Sequence, residues 1–93
     1  MPPNRLVFRI DALQRMFQRR ISRDAVQNTL VTGEVIEDYP HDMPYPSRLV
    51  LGFHGKRPNH VVAAENSLNR ETIVITVYEP DHARWDQTVR TRR

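Results

Sequence analysis

The spacing of apolar residues in the first third of the chain is helical. Apolar residues recur every three or four positions from Ile10 onward, which predicts a first helix ending at Arg20, with one face toward the core: Ile10, Leu13, Met16, Phe17 and Ile21. Ser22 is a good N-cap for a second helix, whose predicted apolar stripe is Ala25, Val26 and Leu30. Gly33 is predicted to end that helix with a positive φ. The short turn between the helices predicts a helical hairpin.

After residue 33 the period becomes two, which predicts strands over residues 34–39, 47–53, 60–65 and 71–78. The last of these is the most continuous β-branched run. Its alternation predicts that Ile73, Ile75 and Val77 share one face, with Ile75 fully buried. The short apolar run over residues 6–8 is either an additional edge strand or an extended lead-in.

These elements predict an α+β fold in which a two-helix hairpin packs on a four-to-five-stranded antiparallel sheet, in the order (β)ααββββ. The opposite face of the sheet is expected to be partly open. A short C-terminal helix is predicted over residues 81–85, with Trp85 folding back on the sheet. Residues 1–93 are expected to form a single domain, in which the basic tail over residues 87–93 is disordered.

The charge distribution suggests an anionic partner. All of the 14 basic residues except Lys56 are arginine, the better fork for phosphate, although a GC-rich genome would explain that bias equally well. Residues 1–23 carry six arginines against one acidic residue, whereas residues 34–42 carry four acidic residues and no basic one. One end of the molecule should therefore be positive.

Several classes of protein are disfavoured. No run of about 18 apolar residues is present, so no membrane span is predicted, and the first residues lack the apolar core of a secretion signal. The absence of cysteine excludes disulfides and thiolate metal sites. The histidines show no metal-ligand spacing, so we predict neither a metal nor a cofactor. A cytoplasmic protein is expected.

An ordered set of motifs carries a family resemblance. The motifs are residues 12–16 (ALQRM), 19–22 (RRIS), 33–40 (GEVIEDYP), 49–52 (LVLG), 57–62 (RPNHVV) and 76–80 (TVYEP), followed by Trp85. Across roughly residues 6–86 the chain resembles a family of small bacterial proteins of unknown function grouped with the RelE-like toxins of toxin–antitoxin pairs. Relatives commonly have histidine before the Ala-Leu pair of the first helix, where this chain has Asp11.

The resemblance implies a RelE-like domain that cleaves RNA, such as ribosome-bound mRNA, without a metal, and that pairs with an antitoxin protein. Such cleavage needs a proton acceptor for the 2′-OH, a cation at the phosphate and a proton donor for the leaving oxygen. Arg57, His60 and Tyr78 are the candidate catalytic residues, with His60 as acid or base and Arg57 holding the phosphate. The alternative is structural: a partly buried His60 bonded to backbone, a solvated Arg57 and a packed Tyr78.

Arginines near the two ends of the chain are candidates for RNA binding. Arg15 and Arg19 lie one helical turn apart and form a basic stripe, and Arg84 follows the last strand. A solvated helix face would explain the stripe as well. Two functions therefore stand: a metal-independent endoribonuclease of a toxin–antitoxin pair, and a non-catalytic RNA- or protein-binding module of the same fold. Asp11 favours the second.

Overall fold

The computed structural model describes residues 4–92, which form two helices and one five-stranded sheet. The elements in chain order are β1 (Arg5–Phe8), α1 (Ile10–Arg19), α2 (Arg23–Thr32), β2 (Glu34–Tyr39), β3 (Ser47–His54), β4 (Arg57–Asn66) and β5 (Glu71–Tyr78). The strand order in the sheet is β1-β5-β4-β3-β2. The predicted α+β class is confirmed. Within residues 4–92, neither helix has the length and apolar character needed to cross a membrane.

The sheet is mixed, so the prediction of a purely antiparallel sheet is wrong. Strands β2 to β5 form the predicted antiparallel meander. Strand β1, however, pairs in parallel with β5, with Val7 opposite Ile73. The two helices connect β1 to β2 at the opposite edge of the sheet. The meander then runs back across the sheet, so that its last strand, β5, lies beside β1 and parallel to it.

A β-bulge at Ile75 overturns the predicted burial of β5. Thr76 lies opposite Val62 and Val74 lies opposite Ala63, which leaves Ile75 without a residue across from it in β4. The extra residue shifts the alternation, so Val74 and Val77 are both fully buried while Ile75 is only half-buried. The prediction of a fully buried Ile75 is therefore wrong, and truncating Ile75 should cost less than truncating a core residue.

Both faces of the sheet are covered. The two helices cover one face, where buried residues of α1 and α2 pack on Val50, Val61, Val74 and Val77. On the other face, Trp85 and Val89 pack on Leu49 and Leu51. We expected this face to be partly open, but the C-terminal segment covers it. The packing of Trp85 agrees with the prediction that this residue folds back on the sheet.

The tail also differs from the disordered segment that the sequence led us to expect. The Asp86 amide donates to the Thr91 carbonyl at 2.9 Å, Val89 is buried, and Arg90 pairs with Glu34 at 3.0 Å. Residue 93 of that predicted segment lies outside the described residues. The short C-terminal helix predicted over residues 81–85 is a single turn, in which the Trp85 amide donates to the Asp81 carbonyl at 2.9 Å.

Helix α1 ends one residue before the predicted Arg20, and only part of its predicted apolar face is buried, namely Met16 and the following Ile21. Ala12 and Met16 are buried against the sheet, whereas Ile10, Leu13 and Phe17 are 72%, 48% and 87% exposed. The two helices lie over different strands, α1 over β5 and α2 over β3 and β4. Three residues of the predicted apolar stripe, Ile10, Leu13 and Phe17, are therefore left uncovered by α2. Helix α2 follows the prediction more closely, because the Ser22 hydroxyl caps the Ala25 amide at 3.0 Å.

Gly33 is required for close packing and not for a left-handed conformation. Its φ is −76° and its ψ is 175°, so the prediction of a positive φ is wrong. A Cβ at this position would lie 2.3 Å from the Thr29 carbonyl oxygen and 2.5 Å from the Leu51 carbonyl oxygen. The left-handed cap occurs instead at Arg20, with φ 55°, after α1.

We therefore expect Gly33→Ala to lower the free energy of unfolding by about 1–3 kcal/mol, as overpacking does. Both clashing atoms are backbone oxygens, which cannot rotate away as a side chain would. Urea denaturation of the two proteins measures the difference. A loss below about 0.5 kcal/mol, the usual range for an unconstrained surface position, would show that α2 and β3 do not approach so closely.

Candidate functional site

A cleft at the end of β5 gathers four arginines. Strand β1 pairs only with residues 71–74 of β5, so the edge of β5 beyond them is not covered by a strand. The cleft there has a volume of about 520 Å³ and is bounded by α1, the end of β5 and the C-terminal segment. We call it the arginine cleft. It is lined by four arginines, two carboxylates and three other residues: Arg15, Arg19, Arg84, Arg92, Glu79, Asp81, Thr76, Tyr78 and Trp85.

The predicted RNA-binding residues thus come together with one of the predicted catalytic residues. Arg15 and Arg19 face the cleft from consecutive turns of α1, and Arg84 approaches from the turn after β5. Arg15 pairs with Asp11 at 3.2 Å, with both side chains about half exposed. Within residues 4–92, the side chains of Arg19 and Arg84 have no ion-pair partner. These two guanidinium groups can accept an anion without breaking an existing pair.

Beneath the cleft, His60 is fully buried and both of its ring nitrogens are hydrogen-bonded. Nε2 lies 2.8 Å from the Val89 carbonyl oxygen, and Nδ1 lies 3.2 Å from the Tyr78 hydroxyl. The Trp85 ring meets the imidazole edge to face, with the ring centroids 4.5 Å apart. The hydrogen bond to the half-buried Tyr78 therefore connects the His60 side chain to the cleft.

The contacts of His60 define its protonation state. Burial lowers the pKa of His60 and is the dominant cause. The hydrogen bond to the Val89 carbonyl opposes it, and the charges of Arg92, which lowers this pKa, and Glu37, which raises it, have smaller effects. Burial raises the pKa of Tyr78. Both groups are therefore neutral near pH 7. Because the Val89 carbonyl only accepts, Nε2 carries the proton, and Nδ1 accepts from the Tyr78 hydroxyl.

Arg57 lies on the other face of the sheet from His60. Along β4, Arg57, Asn59 and Val61 point toward the helices, while His60 points toward the C-terminal segment. Arg57 Nε donates to Glu79 at 3.0 Å, and its Nη2 donates to the Arg19 carbonyl. The predicted pair of Arg57 and His60 is thus not brought together, and Arg57 ties the end of α1 to Glu79 in the cleft wall.

Arg92 is the residue of the cleft that the sequence did not indicate. Its guanidinium carbon lies 4.5 Å from the centroid of the Trp85 ring, and its Nε and Nη2 donate to the two oxygens of Glu37 at 3.0 and 3.2 Å. Tyr39 also donates to Glu37. Burial alone would raise the pKa of Glu37, but these hydrogen bonds hold that pKa below its usual value. In the sequence, Glu37 and Tyr39 are two residues apart on β2 and so lie on one face of the strand. This spacing was the only sign of a partner for Arg92.

The acidic residues and histidines offer little for acid–base or metal chemistry in the cleft beyond the His60–Tyr78 pair. Asp11 is exposed on α1 and its carboxylate pairs with Arg15. Across residues 4–92, no three His, Asp or Glu side chains are grouped so that they could hold a metal ion.

The burial of His60 makes stability depend on pH. An unfolded histidine titrates near pH 6.5, and the folded pKa is lower, so between these two values only the unfolded state takes up the proton. The free energy of unfolding should therefore fall as the pH drops below about 6.5, with a slope of up to about 1.4 kcal/mol per pH unit. Urea melts between about pH 5 and 7 measure it.

The matched variants for this slope are His60→Gln and His54→Gln. The first should remove the slope, while the second, at an exposed position, should keep it. Hydrogen bonds lower the pKa values of the Glu37 and Asp86 carboxyls below their usual acidic range, so these groups do not account for the slope. An unchanged slope in folded His60→Gln would mean that the imidazole is not buried in its neutral form.

Together these features define an α+β protein with an arginine-lined cleft over a buried histidine. The chain belongs to the family described as "Domain of unknown function (DUF4258)", whose model matches residues 9–79. The matched part includes Arg15, Arg19, Arg57, His60 and Tyr78 but ends before Arg84. Searches of curated proteins and of solved structures found no match.

Proposed function

We propose that the protein binds RNA along its phosphate backbone in the arginine cleft. The observation that carries this proposal is the convergence of four arginines on one cleft, two of them without an ion-pair partner within residues 4–92. They outnumber the two carboxylates of the lining, Glu79 and Asp81, of which Glu79 is paired with Arg57. Guanidinium groups pair with two phosphate oxygens at once and stay charged. Arg19 and Arg84 are the groups expected to gain most from a bound phosphate.

The Tyr78 hydroxyl favours RNA over a simple anion. Since its proton is donated to neutral His60, its oxygen is left as an acceptor toward the cleft. An acceptor repels phosphate oxygens but suits the 2′-hydroxyl of ribose, which can donate. This arrangement should make RNA bind more tightly than DNA of the same sequence.

The test is a salt titration of binding to a single-stranded RNA, followed by fluorescence anisotropy. Each phosphate contact contributes about 0.7 to the slope of log affinity against log salt. The double variant Arg19→Ala with Arg84→Ala should therefore lose about 1.4 of that slope. The same RNA with 2′-deoxy sugars should bind more weakly to the wild type.

The control is Arg70→Ala, which removes one positive charge, half of what the double variant loses, from the turn at the other end of β5, about 25 Å along the strand from Tyr78. It should keep the slope of the wild type. If Arg70→Ala lost about 0.7 of the slope, half of the loss expected for the double variant, net charge alone would drive binding. No binding at low salt would overturn the proposal.

Cleavage of the bound RNA is the second candidate function. The specific observation in its favour is the hydrogen bond between Tyr78 and His60, which gives the cleft a hydroxyl backed by a proton acceptor. In this proposal the predicted catalytic role of His60 passes through Tyr78, and Arg57 positions the cleft wall.

If the protein cleaves RNA, we propose more specifically that it is a RelE-like toxin of a toxin–antitoxin pair. The ordered motifs support it, as do two helices lying over an antiparallel meander. The partner in such a pair would be an antitoxin protein. The exposed residues Ile10, Leu13 and Phe17 of α1 offer an apolar surface for it to cover.

A further inference from the structure

A second, smaller cavity lies on the helix side of the sheet, between the α1–α2 turn and the β3–β4 hairpin. Its volume is about 90 Å³, and its polar wall consists of Arg20, Ser22, His54, Arg57 and Asn59. At about 30 Å³ per water molecule, it has room for about three waters or for one small tetrahedral ion. It shares no residue with the arginine cleft.

Asn59 marks this cavity as a binding site. Its side chain is 2% exposed, and within residues 4–92 its Oδ1 has no hydrogen-bond partner. Buried polar atoms in native proteins nearly always have a partner, so an unpaired amide oxygen in a cavity wall indicates a bound water or another bound group. The amide can present either its oxygen or its NH₂ group, since rotation about χ2 exchanges the two.

The surroundings favour an anion as that group. Arg20 is exposed and has no ion-pair partner within the described residues. Arg57 uses Nε and Nη2 in its bonds to Glu79 and the Arg19 carbonyl, which leaves the N–H groups of Nη1 available. The ten-residue helix α2 begins beside the cavity, with its N-cap Ser22 in the wall, so the positive end of its dipole is near.

Two carboxylates limit the positive charge around the cavity. Glu79 is paired with Arg57, and Asp24 lies in the first turn of α2. Neither lines the cavity. The guanidinium of Arg20 is therefore the uncompensated charge at its mouth.

We propose that this cavity binds a small tetrahedral oxyanion of the phosphate class, held by Arg20, Arg57 and the NH₂ group of Asn59. The ligand is either free inorganic phosphate or the terminal phosphate of an RNA strand, since both present the same group. The proposal does not rest on RNA binding in the arginine cleft, because the two sites share no residue.

The experiment is an NMR titration of the ¹⁵N-labelled protein with sodium phosphate, at an ionic strength held constant with sodium chloride. The Asn59 side-chain amide and the backbone amides of Arg20 and Ser22 should shift saturably. Arg20→Gly should weaken phosphate binding about tenfold or more, as expected for the loss of a hydrogen bond to a charged group.

Arg70→Gly is a closely matched control. Arg20 and Arg70 both have a left-handed backbone, with φ of 55° and 53°, so glycine is equally acceptable at each and each variant loses one charge. Arg70→Gly should change phosphate affinity less than twofold. Equal weakening by the two variants would assign binding to net charge and overturn the proposal.

Two RNA oligonucleotides distinguish the source of the phosphate. A shift of the Asn59 amide with a 5′-phosphorylated strand, absent with its 5′-hydroxyl form, assigns the cavity to an RNA end. A shift with inorganic phosphate alone assigns it to the free ion. No saturable shift of Asn59 with any of these probes means that the cavity holds only water, and the proposal then fails.

Discussion

Replacing Trp85 with alanine should lower the free energy of unfolding by about 3–5 kcal/mol, as the truncation of buried aromatic residues does. Trp85 is 2% exposed and packs with Val89 on Leu49 and Leu51. Both helices lie on the opposite face, so Trp85 supplies much of the cover for this second core. Its ring also closes the space beside His60. Because Trp85 is the single tryptophan, far-UV circular dichroism in urea is the suitable measurement.

Phe17→Ala is the control for this prediction. It removes an aromatic ring that is 87% exposed and should change stability by less than about 0.5 kcal/mol. If Trp85→Ala proved as mild as Phe17→Ala, the C-terminal segment would not pack on the sheet in solution. The disordered tail expected from the sequence would then be the better description.

The elements that the sequence predicted well are those set by local patterns. Ser22 caps α2 because its hydroxyl reaches an amide only three residues away. The antiparallel meander follows from short links between alternating segments, since neighbouring strands joined in this way pair with each other. Neither inference required knowledge of a distant part of the chain.

The features that the sequence did not predict depend on distant partners. The bulge at Ile75 is a mismatch between β5 and β4, which no pattern within β5 alone reveals. The order of the tail depends on the pairs of Arg90 with Glu34 and Arg92 with Glu37, which are 56 and 55 residues apart in sequence. Gly33 is explained by the approach of the Leu51 carbonyl, again from another element.

The candidate site was predicted in part for the same reason. The helical spacing of Arg15 and Arg19 correctly placed them on one face, and that face borders the cleft. For Arg57 and His60, the predicted strand began at His60 and left Arg57 in a turn. In the structure β4 begins at Arg57, and two strand residues three positions apart point to opposite faces. The catalytic pair was predicted because the start of β4 was placed three residues too late, at His60 instead of Arg57.

If the bound RNA is cleaved, Tyr78→Phe should lower the cleavage rate about 10²–10⁴-fold, the usual contribution of a positioned proton-transfer group. In the proposed step, the ribose 2′-OH gives its proton to the Tyr78 oxygen while the Tyr78 proton moves to Nδ1 of His60. The 2′-oxygen attacks the phosphorus, the bond to the 5′-oxygen breaks, and that oxygen takes a proton from water. The proton on Nδ1 of His60 then returns through Tyr78 and neutralises the hydroxide that is left. The cleft arginines stabilise the charge on the phosphate. The product is a 2′,3′-cyclic phosphate, detectable by mass spectrometry, and EDTA should not inhibit its formation.

His60→Gln separates this relay from a purely structural histidine. Glutamine offers an oxygen that still accepts the Tyr78 hydrogen bond but takes up no proton at neutral pH, so cleavage should fall as in Tyr78→Phe while RNA affinity is kept. Tyr45→Phe is the control, because the Tyr45 hydroxyl bonds to Asn66 and does not line the cleft. Full cleavage by folded Tyr78→Phe would exclude the relay. No cleavage by a wild type that binds RNA would leave the cleft as a binding site, which is the function favoured by Asp11.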